Sequence, residues 1–185
     1  MGSPRHCGYG VEVWQGKRCY GPSDTIADTI HYKTGGEDTP RPNIRGMTEI
    51  DFYSGGDRLQ IACRLVAKAI RLGLKVLIYS SDVAMVDRID KLLWTFAPTD
   101  FVPHCRADDR LADVTPVILS HHAKNLAHDE VLVNLDVDTP AFFSRFHRLI
   151  EITGTTPEDT QAARKRYRFY QDRGYEIRHH KLGAV

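Results

Sequence analysis

From Met47 onward the chain alternates between two hydrophobic rhythms, and each switch marks a new element. Glu49–Tyr53 (EIDFY) predicts a strand. Asp57–Leu72 predicts a helix with Leu59, Ala62, Cys63, Val66 and Ile70 on one apolar stripe, ended by Gly73. Lys75–Tyr79 (KVLIY) is a short apolar strand. Ser81 or Asp82 then caps a second helix running to about Leu93, with Val86, Ile89, Leu92 and Leu93 inward. Phe101–Cys105, Pro116–Leu119 and Glu130–Leu135 predict further strands, and Phe142–Phe146 one helical turn. Arg148–Ile152 (RLIEI) is another strand. A helix follows from Thr156 to Gly174, and Tyr175–His179 closes as an edge strand. Strands alternating with helices imply an α/β fold: a three-layer, mostly parallel twisted sheet with helices on both faces, Rossmann-like in topology.

Residues 1–46 follow neither rhythm. They hold 8 of the 14 glycines and 4 of the 9 prolines. This stretch reads as a flexible or non-native N-terminal extension, with Met47 opening the folded domain of residues 47–185. A small accessory hairpin around Val11–Trp14 is the competing reading.

The totals narrow the function classes. The 185 residues suffice for one α/β domain with a real core, and the formal net charge is +1. A protein that wraps DNA needs a large basic excess, so an electrostatic partner must read a local patch here. The four cysteines are widely spaced with no Cys-x-x-Cys, which implies neither a disulfide framework nor a zinc site and fits a reducing cytoplasm. No apolar run is long enough to span a membrane.

An α/β sheet invites a nucleotide-binding reading. Val131–Asp136 (VLVNLD) is an apolar strand ending in a carboxylate, but no GxxxxGK(S/T) segment accompanies it. The first strand runs into Ser54-Gly55-Gly56-Asp57, which is not GxGxxG. Gly55-Gly56 therefore reads as a turn entering the first helix, and no nucleotide-binding loop is present. Asp136 with Asp138, and Asp108 with Asp109, offer carboxylate oxygens suited to magnesium, yet read more simply as loop charges and caps. His121-His122 and His179-His180 are adjacent pairs. Neighbours on a strand point to opposite faces, which makes them poor bidentate sites. The same argument disfavours His104-Cys105 as a thiolate–imidazole pair. No Ser–His–Asp, HExxH or GxSxG arrangement occurs, so a non-enzyme without metal or cofactor is expected.

Two surfaces remain. Trp94, Phe96 and Phe101 flank a proline-broken turn after the second helix, where core and docking roles are equally compatible with their spacing. Residues 164–181 carry seven Lys or Arg (164, 165, 166, 168, 173, 178, 181) against Asp172 and Glu176. Arg164, Tyr167, Arg168 and Gln171 share a face at i, i+3, i+4 and i+7. Two forked cations beside an aromatic ring suit a carboxylate-rich, partly apolar ligand. Ala162, Ala163, Phe169 and Tyr170 are expected against the sheet, with Arg164, Arg168 and Tyr167 outward. Arg166 falls in the apolar arc, either snorkelling or paired with a carboxylate.

Taken together, the strand IDFYS, KVLIYS with a helix ending RIDKLLWTF, FVPHCRADD, VLVNLD, FxRFxRLIEI and the closing RKRYRFYQDRGYEI resemble, in order and spacing, the chi subunit family of bacterial DNA polymerase III holoenzyme. The resemblance covers Met47 to about Lys181. It implies a non-catalytic accessory subunit of the clamp-loader complex, cytoplasmic, at the replication fork, with only indirect DNA contact. It implies two partners: the acidic C-terminal tail of single-stranded DNA-binding protein, ending in Pro-Phe, and the psi subunit. Carried onto this chain, Arg164 and Arg168 would hold tail carboxylates and Tyr167 would wall the pocket for the last phenyl ring, with Gly174 ending the helix. Trp94 and Phe101 would face psi or a DNA-repair helicase. Two other readings stay open at this point. One is a degenerate nucleotide-dependent enzyme with Asp136 as metal ligand. The other is direct single-stranded nucleic-acid binding through Arg164, Arg168 and Tyr170.

Overall fold

The structure, a computed structural model, describes residues 47–96, 101–124 and 126–182. The expected N-terminal extension and the hairpin around Val11–Trp14 lie outside these residues.

Within them the strands are β1 (Glu49–Ser54), β2 (Val76–Tyr79), β3 (His104–Arg106), β4 (Val117–Ser120), β5 (Val131–Asn134), β6 (Arg148–Ile152) and β7 (Ile177–Lys181). They form one seven-stranded sheet in the order β3-β4-β2-β5-β6-β1-β7. Every pairing is parallel, so the sheet goes one step beyond the mostly parallel arrangement expected. The helices are α1 (Arg58–Arg71), α2 (Val83–Thr95) and α3 (Pro157–Asp172), with a 3-10 turn at Phe143–Arg145.

The continuous apolar runs of the central strands follow from burial on both faces. Val76, Ile78, Val117, Leu119, Val131 and Val133 point to the layer of α1 and α2. Leu77, Ile118, Leu132 and Leu149 point the other way, with Ile50 and Phe52, into a second core closed by α3 and the 3-10 turn. Each helix starts on a side-chain cap. Asp57 accepts from the Gln60 N–H at 2.8 Å, and Asp82, not Ser81, accepts from Ala84 at 2.9 Å. Such caps contribute about 1 kcal/mol each.

Two boundaries differ from the sequence expectation. The strand expected to begin at Phe101 begins at His104, since Pro103 has no N–H to donate to a ladder. The closing strand lies two residues later than expected. The chain spends Gly174 and Tyr175 leaving the helix, with Tyr175 N–H still donating to Tyr170 at 3.1 Å, before β7 pairs with β1. Gly55 permits that pairing to run to its end. It sits at φ 101°, and a Cβ there would lie 2.2 Å from the carbonyl oxygen of Leu182.

Candidate functional site

The site is built on α3. Its cap is Thr156, whose Oγ1 accepts from the Asp159 N–H at 3.1 Å, with Pro157 in the first turn. Glu158 and Asp159 occupy the positive end of the helix dipole. Gly174, at φ 77°, takes the left-handed conformation that ends it.

A buried polar cluster fixes the rotation of this helix. Strand alternation places Glu151 of β6 on the α3 side, on the same face as Leu149. Its carboxylate is fully buried and accepts from Arg166 Nε at 2.8 Å, Asn134 Nδ2 at 3.0 Å and the Tyr170 hydroxyl at 2.7 Å. Arg166 also donates through Nη1 to the Val137 carbonyl at 2.7 Å. Arg166 is only 4% exposed, so the paired alternative holds and the snorkelling one does not. Burial raises the Tyr170 phenol well above its ordinary range and the Glu151 charge adds to it, which keeps the hydroxyl a donor. A buried cation and anion are tolerated together because each is hydrogen-bonded to the other and to further partners.

With that rotation set, Arg164 and Arg168 face solvent. Neither forms a hydrogen bond or ion pair with another described residue. Tyr167, expected outward, is half-buried. Its ring meets Phe52 of β1 edge-on at 5.6 Å and the His179 ring of β7 at 5.0 Å. Phe52 and His179 are stacked at 5.8 Å. Tyr167 therefore joins Phe52 and His179 in an aromatic cluster between α3 and the edge strand, on the helix side that carries Arg164 and Arg168. The other cations of the stretch are partly spent. Arg166 is held by Glu151, Arg178 pairs with Glu49 and Asp51, and Arg173 lies 3.5 Å over the Phe169 ring. The structure overturns the stacking role considered for Tyr170, which is fully buried and bonded to Glu151.

Sequence reasoning missed His179. Its pair with His180 was read only as a failed metal site, yet the same alternation sends His179 toward α3 and His180 to the opposite face, where it contacts Asp51 at 2.8 Å. The opposite flank of α3 carries a groove lined by Val137, Thr139, Gln161, Ala162, Lys165 and Phe169. Ala162 and Phe169 thus border an open groove and are only half-buried, where full packing on the sheet was expected.

At the far edge of the sheet, the three aromatics of the proline-broken turn separate. Trp94 is 58% exposed and Phe101 63% exposed, with ring centroids 5.3 Å apart, while Phe96 packs on the core. The Trp94 ring also lies 4.9 Å from that of His104. Residues 97–100 between them lie outside the described residues. Since Trp94 buries little, Trp94→Ala is expected to lower stability by less than about 1 kcal/mol in urea denaturation. Leu93→Ala next to it, at a buried position, should cost about 2–5 kcal/mol. Equal losses would make Trp94 a core residue.

Of the acids considered for magnesium, Asp136, Asp108 and Asp109 serve the loops. Asp136 accepts from the backbone of Ser81 at 2.8 Å and of Val137 at 2.6 Å, using both oxygens. Asp109 caps the turn at Leu111, and Asp108 contacts His122 at 2.9 Å. Among the described residues no group of three or more His, Cys, Asp or Glu is arranged to hold a metal ion, and no helix is long and apolar enough to cross a membrane.

Residues 47–178 match the family described as DNA polymerase III chi subunit, HolC. A protein named DNA polymerase III subunit chi from Pseudomonas aeruginosa is 36% identical over 144 residues, 75% of this chain and all of the relative. One of the same name from Haemophilus influenzae is 32% identical over 125 residues, 67% of this chain and 87% of the relative. The Escherichia coli protein of that name is 27% identical over 131 residues, covering 70% and 88%.

Proposed function

This chain belongs to the DNA polymerase III chi subunit family, and from that premise we propose that it is a non-catalytic adaptor of the clamp-loader complex. In this reading it joins the acidic C-terminal tail of single-stranded DNA-binding protein to the psi subunit. The observation that carries the first half is the pair Arg164 and Arg168, exposed and unpaired among the described residues, beside the half-buried ring of Tyr167. The guanidinium forks suit aspartate side chains and a terminal carboxylate, while the half-buried Tyr167 ring offers an apolar contact to a terminal phenyl ring. Trp94 and Phe101 form the second docking surface, for psi or a DNA-repair helicase. An exposed tryptophan anchor beside a second ring has the composition of an interface hot spot.

The affinity follows from opposing terms. Each charge-assisted hydrogen bond is worth about 1.5–3 kcal/mol gross. Ordering a flexible tail offsets part of that. A dissociation constant in the micromolar range results, about −8 kcal/mol. The test is a calorimetric titration of the chain with a synthetic peptide of aspartates ending in Pro-Phe. Saturable binding that weakens with added salt is expected. Absence of binding at low ionic strength would remove the tail from the proposal.

A further inference from the structure

His179 belongs to the aromatic cluster beside α3, and an imidazole is the one ring type there whose charge responds to pH in the neutral range. It is exposed, stacked on Phe52 and 5.0 Å from the Tyr167 ring. We propose that His179 is a further specificity-determining residue of the surface formed with Arg164, Tyr167 and Arg168, whose imidazolium binds a carboxylate of an acidic peptide and makes the affinity pH-dependent. The inference rests on the tail-binding reading above.

The described residues leave this imidazole without an anion of their own. From α3, Tyr167 contacts the imidazole, and Arg164 and Arg168 lie one turn before and one residue after it on the helix. From β1 the contact is Phe52, which carries no charge. On β7 itself, Lys181 shares the α3 side, whereas Arg178 and His180 point to the other face and are engaged by Asp51. The acids of the connecting segment, Asp172 and Glu176, are exposed, and neither pairs with His179. His179 therefore has no carboxylate partner among the described residues. A carboxylate arriving at an imidazole favours its protonated form. Binding and protonation are then linked. The histidine takes up a proton on binding, so affinity is greatest at low pH and declines as pH rises through the bound-state pKa. The peptide carboxylates stay ionised above about pH 5.5 and do not produce this trend. In the neutral form the ring still covers Phe52 and serves as an apolar wall.

The test measures dissociation constants for the full chain and a synthetic aspartate-rich peptide ending in Pro-Phe at pH 5.5, 6.5, 7.5 and 8.5 and constant ionic strength. The wild type should bind about three-fold or more tighter at pH 5.5 than at pH 8.5. His179→Gln should bind with a flat profile near the wild-type value at high pH. His179→Arg should be flat near the low-pH value. Because His179 is exposed, both variants should keep the wild-type circular dichroism. An unchanged pH slope in His179→Gln overturns the role of His179 while leaving the tail site intact. Wild-type binding that is absent at every pH, or unaffected by Arg168→Ala, overturns the tail reading itself and this inference with it.

Discussion

Glu151→Ala is expected to cost about 3–5 kcal/mol of folding stability, the largest effect of any single change discussed for this chain. Removing the carboxylate strands the Arg166 guanidinium under α3, 4% exposed, and deprives Tyr170 and Asn134 of their shared acceptor. A domain of this size has a total stability of about 5–15 kcal/mol, so the variant should sit near its unfolding limit at 37 °C. Urea denaturation measures the loss directly. Replacing the pair together, Glu151→Leu with Arg166→Met, should recover much of it, because an apolar pair of similar volume needs no desolvated charge. A loss under about 1 kcal/mol in Glu151→Ala would mean that Arg166 escapes to solvent without help, and that the cluster does not fix the helix.

The second large effect concerns binding. Replacing both Arg164 and Arg168 with alanine should weaken the acidic Pro-Phe peptide at least about 100-fold, or about 2.7 kcal/mol. Each single change should account for about ten-fold. Both side chains are exposed and bonded to no other described residue, so the circular dichroism and urea midpoint should hardly move. The residual affinity should also lose most of its salt dependence, since the screened charges are gone. Less than a three-fold change in the double variant would place the peptide elsewhere, and the groove beside Lys165 and Phe169 would be the next place to test.

Much of this architecture is written locally and could be read. The α3 helix declares itself through Thr156, Pro157 and Gly174, and the structure uses all three as expected. The exposure of Arg164 and Arg168 follows from the same helical phase. What could not be read depends on pairing across the sheet. Arg166 was visibly misplaced in an apolar arc, but its partner lies in a strand 15 residues earlier, and no periodicity links the two. Glu151 carried a faint signal, being the one acid inside the apolar run RLIEI. Trp94 and Phe101 were undecidable for a similar reason. Helical phase cannot say whether anything lies over the end of α2, and only the position of β3 at the sheet edge leaves that side open. The place of His179 depends on the pairing of β7 with β1, which sets it opposite Phe52 and which no local pattern carries.

The strand order places the Trp94–Phe101 pair beside β3 and the Tyr167–His179 contact beside β7, the two outermost strands. Six inter-strand spacings at about 4.8 Å separate those margins by roughly 29 Å, and the cumulative twist turns them to face different directions. Groups so far apart, with a close-packed sheet between them, act independently in energy. Two guests could therefore sit on one molecule without touching, and neither would alter the intrinsic affinity of the other. Any mutual reinforcement would come from tethering. A guest anchored at one margin holds the opposite one at a high local concentration near whatever it is tethered to, and the gain is set by linker length rather than by contacts. The sheet would then behave as a spacer of fixed length, and lengthening the tether on either guest should change apparent avidity while leaving both isolated dissociation constants where they were.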